Sequence, residues 1–379
     1  MITTINNKHK KLNVPNLRFP KFQGEWKKTK FGDIATGFDY GMNAAAKNYD
    51  GVNKYIRITD IDEASSTYTD KDIVSPDGIL TDNYLVNNRD ILLARTGAST
   101  GKSYLYKQSD GKLYYAGFLI RANVTTHDPY FVFSQLHTHR YWRWVSIMSA
   151  RSGQPGINSQ EYSSFPIYTT SIEEESKIAK LLSLLDERIA TQNKIIDKLQ
   201  SLIKGIAQKI VHSNKTNVRL SECVECSSST LQESDVCEHG AYPVYGANGI
   251  VGYLDNYNTE GEAVYIIKDG SGVGTVSYVT GKCSATGTLN TLQAKEGYSL
   301  QYLYYLLNVF NFEPYKTGMA IPHIYFKDYG KAKFFCPSYT EQLQYAQSLS
   351  AIDSKLLVEK NILTSLSMQK KYLLRQMFI

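Results

Sequence analysis

Nine apolar residues in the middle of the chain stand at regular steps: Ile178, Leu182, Leu185, Ile189, Ile196, Leu199, Ile203, Ile206 and Ile210. The steps alternate four and three, with one step of seven across Gln192. That spacing lays a single apolar stripe along a helix and suits the seam of a coiled coil. The pattern returns 167 positions later (178 to 345) as Tyr345, Leu349, Ile352, Leu356, Leu363, Leu366, Leu373 and Met377. Glu359 stands where Gln192 stood, and Lys370 replaces Ile203. Ser171 and Ser338 each precede a glutamate by three residues, Glu174 and Glu341, which predicts a capping box at both helix starts. Helices are therefore expected over 171–212 and 338–379, the first about 60 Å long at ~1.5 Å per residue. Gly205 inside the first weakens it and offers room for another backbone to approach. Two helices in one register, one central and one terminal, imply a duplicated unit of globular domain followed by helix.

Ahead of each helix the periodicity changes to short apolar runs bounded by Gly, Asn and Asp, the pattern of strands. Residues 1–14 are expected to be frayed, 15–170 to form one mainly β domain, and 213–337 a second. Strands are expected at 55–61, 90–95, 102–107 and 113–124, then at 241–246, 249–255, 263–268 and 274–279. One helix is expected over about 129–150 and a shorter one over about 300–310. Two motifs match between the halves: DILLARTGASTG (90–101) with AVYIIKDGSGVG (263–274), and SGQPGIN (152–158) with TGMAIPH (317–323). Elsewhere the domains share little sequence. The fold class expected is α+β: two mainly β domains, related by a pseudo-two-fold of the duplicated unit, separated by two long helices of coiled-coil register.

The residues offer little catalytic machinery. GASTGKS (97–103) follows a strand, but only three residues separate Gly97 from Gly101, where a phosphate loop needs four. What is duplicated is a Gly-x3-Gly turn. Cys223-x2-Cys226 with Cys237-x-His239 has one zinc-like spacing and one unusual one, and free thiols are the plainer reading. DPYF (128–131) shares only part of an adenine methyltransferase loop and lacks a Gly-rich cofactor motif beside it. No Ser–His–Asp grouping is apparent. Lys and Arg number 42 against 36 Asp and Glu, a net charge of +6 that is compatible with nucleic acid. Five cysteines fit a reducing cytoplasm, and no apolar run predicts a signal peptide or a membrane span.

Loop cations and amides remain as DNA-contact candidates, since they pair with phosphates and base edges. These are Arg57, Arg95, Lys102 and Arg151 in the first domain, and Tyr245, Asn248, Lys268, Lys316 and His323 in the second.

The stretches 16–34, 91–102 and 242–253, with the helices 173–189 and 341–356, resemble the specificity subunits of type I restriction–modification systems. The resemblance covers nearly the whole chain, and the order domain–helix–domain–helix carries it. It implies a subunit without catalysis of its own, with two target-recognition domains held apart by antiparallel helices. Those helices are then expected to dock two methyltransferase subunits, to which restriction subunits add. S-adenosylmethionine, ATP and Mg are expected on those partners and no cofactor in this chain. The target would be double-stranded DNA with two unlike half-sites and a spacer, set on the order of one duplex turn. The helix residues assigned to helix pairing and docking are Ile178, Leu182, Leu185, Ile189, Ile196, Leu199, Ile203, Leu349, Ile352, Leu356, Leu363 and Leu366. A coiled-coil scaffold with two ligand-binding β modules is the alternative reading.

Overall fold

The computed structural model describes residues 13–150, 154–318 and 321–379. Two units divide the chain: residues up to Gln192 with Ile362–Ile379, and Asn193–Asn361. The boundary cuts both long helices, so each unit owns one β domain and part of each helix. The frayed segment expected over 1–14 falls almost wholly outside the described residues.

In the first unit, β1 (Lys27–Lys30), α1 (Phe31–Ile34) and β2 (Ala35–Tyr40) are followed by β3 (Ala45–Asn48), β4 (Lys54–Ile56) and β5 (Val74–Asp77). Next come β6 (Asp90–Ala94), β7 (Ser103–Leu105), β8 (Leu113–Tyr115) and β9 (Leu119–Val124). Helices α2 (Pro129–Gln135), α3 (His139–Ser149) and α4 (Ser159–Ser164) precede β10 (Pro166–Thr169) and the long α5 (Ile172–Ser213). The main sheet is antiparallel in the order β2-β9-β6-β7. Successive side chains of β6 point to opposite faces. Ile91 and Leu93 meet the helices through Val132, Leu136, Tyr141 and Tyr162. Leu92 meets Ile56, Leu113 and Tyr115 on the small parallel pair β4–β8. With both faces covered, the strand reads as an unbroken apolar run.

The second unit continues with β11 (Val218–Arg219), α6 (Leu220–Cys223), β12 (Val224–Ser228), β13 (Tyr242–Gly246) and β14 (Gly249–Leu254). Then come β15 (Glu262–Ile267), β16 (Val276–Thr280), β17 (Ser284–Ala285), β18 (Leu289–Ala294), α7 (Leu300–Leu307), α8 (Phe326–Tyr329), β19 (Lys333–Phe334) and α9 (Tyr339–Gln376). Its main sheet, β12-β18-β15-β16, repeats the first strand for strand. Val264 and Ile266 face the helical core, while Tyr265 and Ile267 face a smaller one. The closing pairs β1–β10 and β11–β19 correspond as well. The accessory strands correspond only in part: the parallel pairs β4–β8 and β13–β17 occupy the same place, whereas the β3–β5 ribbon of the first unit and the β14 arm of the second have no counterpart.

The helices run antiparallel. In the first unit Ile178, Leu182 and Leu185 near the start of α5 share a core with Leu366, Leu373 and Met377 near the end of α9. In the second, Ile210 at the end of α5 shares one with Ala346 and Leu349 at the start of α9. The chain's first described residues join the former cluster: the Leu17 N–H donates to the Gln376 carbonyl (2.9 Å), and Trp26 packs on Phe378. Gln192 and Glu359, the two polar interruptions of the stripe, are both buried.

Several expectations are corrected. The predicted strand 55–61 ends at Ile56, because Arg57–Asp60 turn back on themselves, the Arg57 N–H donating to the Asp60 carboxylate (2.8 Å). The run 113–124 is two strands split by a turn at Ala116–Phe118. The helix expected over 129–150 breaks at Leu136–Thr138, where the Thr138 hydroxyl caps α3 by accepting from the Tyr141 N–H. A Cβ on Gly205 would meet nothing within 4 Å, so no backbone approaches there among the described residues. Tyr345, placed in the seam by sequence, is 37% exposed, and its neighbour Ala346 is buried instead. The capping box is complete only at α9, where Ser338 and Glu341 bond reciprocally. At α5 the Ser171 hydroxyl still accepts from the Glu174 N–H, but the Glu174 carboxylate is drawn to Arg18 (2.6 Å) and Thr170.

Candidate nucleic-acid interface

The duplicated motif forms the same node in both units. Gly97 and Gly101 have φ of +70° and +94°, and Gly270 and Gly274 +85° and +89°, a region costly for other residues. Space also excludes a side chain: a Cβ at Gly101 would lie 2.8 Å from Val145, and one at Gly274 3.0 Å from Phe312. The Gly101 N–H donates to the Ala94 carbonyl (3.0 Å) and the Gly274 N–H to that of Ile267 (2.9 Å). A return loop then pairs with each node. Gly97 and Gly270 donate to the carbonyls of Pro155 and Pro322, both at 3.0 Å. The carbonyls of Arg95 and Lys268 accept from Ile157 (2.9 Å) and Ile324 (3.0 Å). Pro155 thus corresponds to Pro322, which shifts the sequence match of 152–158 with 317–323 by two positions. The corrected offset is 167, the same as that of the helices, and it also sets Ile157 against Ile324.

Below the first node, the Tyr162 hydroxyl donates to the Ala94 carbonyl (2.6 Å) and the Tyr141 hydroxyl to that of Gly101 (2.8 Å). Both rings are buried, so the turn rests on a rigid floor. Arg95 projects from this support. Its Nε donates to the Gly117 carbonyl (3.0 Å), and its guanidinium lies 4.8 Å from the Tyr40 ring centre and 5.9 Å from that of Phe118.

The other candidates divide into groups. Arg57 and Lys102 line one cavity of about 380 Å³ with Glu63, Asp60, Lys71 and Asp72. Each is held by a carboxylate, Arg57 by Asp60 (2.8 Å) and Lys102 by Glu63 (3.0 Å). In the second unit Lys268, Lys316 and His323 gather at the node: Thr317 and His323 pair through their backbones, and Ile324 pairs with Lys268. Lys316 is bound to Glu313 (2.6 Å) and the His323 imidazole to the Asp269 carboxylate. Tyr245 and Asn248 lie apart, on the β13–β14 hairpin. Asn248 is exposed in its turn. Tyr245 is half-buried 5.6 Å from Tyr265, and burial raises its hydroxyl pKa. Arg151 lies outside the described residues.

Sequence reasoning missed the aromatic partners of these cations. Phe118, 56% exposed beside Arg95, and Tyr325, 4.4 Å from His323 with Lys327 over its ring, stand out only in three dimensions. Their one sequence signal is position, each close to a strand end or return loop.

Among the helix residues, Ile178, Leu182, Leu185, Ile196, Leu349, Leu356 and Leu366 are buried within the chain. Ile189, Leu199, Ile203, Ile352 and Leu363 are partly buried. Leu184, Leu202, Leu357 and Met368 point outward and are exposed. Of the thiols, Cys223 faces Cys336 at 3.9 Å, and Cys237 is exposed. Asp128 of DPYF caps α2 by accepting from the Tyr130 and Phe131 N–H groups. No helix among the described residues is long and apolar enough to cross a membrane.

The model of the type I restriction modification DNA specificity domain matches residues 23–201 and 212–368, so the chain belongs to that family. It is 27% identical over 113 residues to the type I restriction enzyme EcoprrI specificity subunit of Escherichia coli, covering 30% of this chain and 28% of that one. It is 26% identical over 175 residues to the MjaVIII specificity subunit of Methanocaldococcus jannaschii, covering 41% and 40%. The matched stretches thus span less than half of these relatives. The crystal structure of a type I restriction–modification S subunit from M. genitalium shares the fold, with a TM-score of 0.68 at 17% identity over 97% of this chain and 99% of that one.

Proposed function

We propose that this chain is the DNA-reading, non-catalytic specificity subunit of a cytoplasmic type I restriction–modification complex. The observation that carries the reading is the pair of like frames with unlike accessory strands, each placing a cation at the same node. Unlike readers on like frames suit a double-stranded target with two different half-sites and a spacer. Two methyltransferase subunits would dock on α5 and α9 through outward residues such as Leu184, Leu202, Leu357 and Met368, and restriction subunits would join through them. S-adenosylmethionine, ATP and Mg would belong to those partners.

The test is exchange of residues 217–336 for those of another family member, followed by mapping of methylated sites with the methyltransferase present. One half-site is expected to change and the other to stay. Change on both sides, or on neither, rejects the assignment. Duplex affinity that falls steeply with salt separates a DNA reader from a scaffold carrying two ligand-binding β modules.

A further inference from the structure

Five candidate cations and His323 lie within the described residues; carboxylates already hold Arg57, Lys102 and Lys316, and the His323 imidazole meets the carboxylate of Asp269. Arg95 and Lys268 have no ion pair among the described residues. These two occupy the same frame position. Each follows the central strand of its main sheet and precedes the Gly-x3-Gly turn. Each backbone carbonyl accepts from the return loop, and each N–H donates to a carbonyl just before the next sheet strand, Phe118 (3.1 Å) and Thr288 (3.0 Å).

From this equivalence we infer that Arg95 and Lys268 are matched phosphate anchors, one for each half-site, and that base discrimination lies in the accessory strands. The inference rests on the DNA-reading function proposed above. Equivalent positions on the two frames meet whatever the two half-sites have in common. Unlike half-sites differ in their bases and share the phosphate backbone. The residue types agree. An arginine fork fits guanine in paired fashion, whereas lysine is a compact point charge, and phosphate is the partner that both bind well. Arg95 is also pre-oriented by Gly117, Tyr40 and Phe118, which lowers the ordering cost of a backbone contact. The segments that differ, the β3–β5 ribbon with its following loop and β14 with the turn that carries Asn248, remain for reading sequence.

The experiment uses the full chain assembled with its methyltransferase subunits and compares wild type, Arg95→Gln, Lys268→Ala and the double variant. Glutamine keeps a planar polar group beside Tyr40 and Phe118, and thermal melts check folding. Each single change is expected to weaken binding to cognate and non-cognate duplex by the same factor, about tenfold. Each should also reduce the slope of log K against log salt by about 0.9, the value for one phosphate. Arg95→Lys should restore most of the affinity, and the methylated sequence should be unchanged in all variants. A changed base in the mapped site would make the residue a base reader and overturn the inference. So would unaltered affinity and salt slope in folded variants. Wild-type complex that binds no duplex at any salt would instead overturn the DNA-reading function itself.

Discussion

The two helix starts solve one packing problem with different residues. Glu175 is fully buried at the head of α5 and accepts from the Asp128 (3.1 Å) and Thr170 (3.0 Å) N–H groups, with His127 Nδ1 at 2.9 Å. Its counterpart at the head of α9 is Gln342, also buried, which accepts from the Ser299 N–H (2.9 Å) and donates to the Pro337 carbonyl (2.9 Å). Both tie the long helix to the cap of the shorter helix before it. One half uses a charge and the other an amide because only the first supplies a histidine and extra donors. The seam differs likewise. Lys370 pairs with Asp186 (2.6 Å), which also accepts from the Tyr130 hydroxyl. In the other half burial and then the Asp353 charge raise the Tyr305 hydroxyl pKa, and the lysine position is Ile203. The duplicated frame therefore fixes where a polar group must sit and leaves open how it is neutralised.

Glu175→Ala tests this comparison most severely. It leaves buried backbone donors unmatched and should cost about 3 kcal/mol in urea unfolding, whereas Glu175→Gln should cost about 1 kcal/mol or less. Equal losses from both would show that the charge, not the oxygen acceptor, matters there. Asp186→Ala should come next, at about 2 kcal/mol, because it strands a seam lysine; the pair is partly exposed, which moderates the penalty. Lys370→Ile should cost less than half as much, since Asp353 already manages without a lysine. A larger loss from Lys370→Ile than from Asp186→Ala would break the parallel.

The smallest effect is on acid stability. Burial, and then the Lys370 ammonium, hold the His137 pKa down to about 4 from an ordinary 6.5. The unfolded chain therefore binds a proton that the folded one refuses, so this contribution is complete above pH 6.5 and is lost as pH falls from 6.5 toward 4. His137→Gln should flatten that part of the stability profile, and Lys370→Ile should flatten it in part. A profile unchanged in both would remove His137 as the cause.

The helices were legible because a stripe at steps of three and four, repeated 167 positions on, has few other solutions. The Gly-x3-Gly node was legible for a similar reason, since positive φ at all four positions, and absent space at Gly101 and Gly274, demand glycine. Strand ends were not. YIRITDI carries strand residues throughout, yet Asp60 captures Arg57 and ends β4, a preference for a local hydrogen bond that competes with the ladder. The apolar content of 129–150 runs through Leu136 without marking the Thr138 cap that divides it. Among the candidate cations, sequence could not separate the neutralised from the unpaired, because Glu63 and Asp269 reach theirs through the fold.

By itself the sequence determined a doubled architecture, its helix register and the glycine turns, all of which follow from periodicity and backbone sterics along a single segment. Only the tertiary structure decided that the main sheets match strand for strand, and that Arg95 and Lys268 lack carboxylate partners among the described residues. Those facts depend on hydrogen bonds and charges that meet across tens of residues, where short-range pattern carries no information.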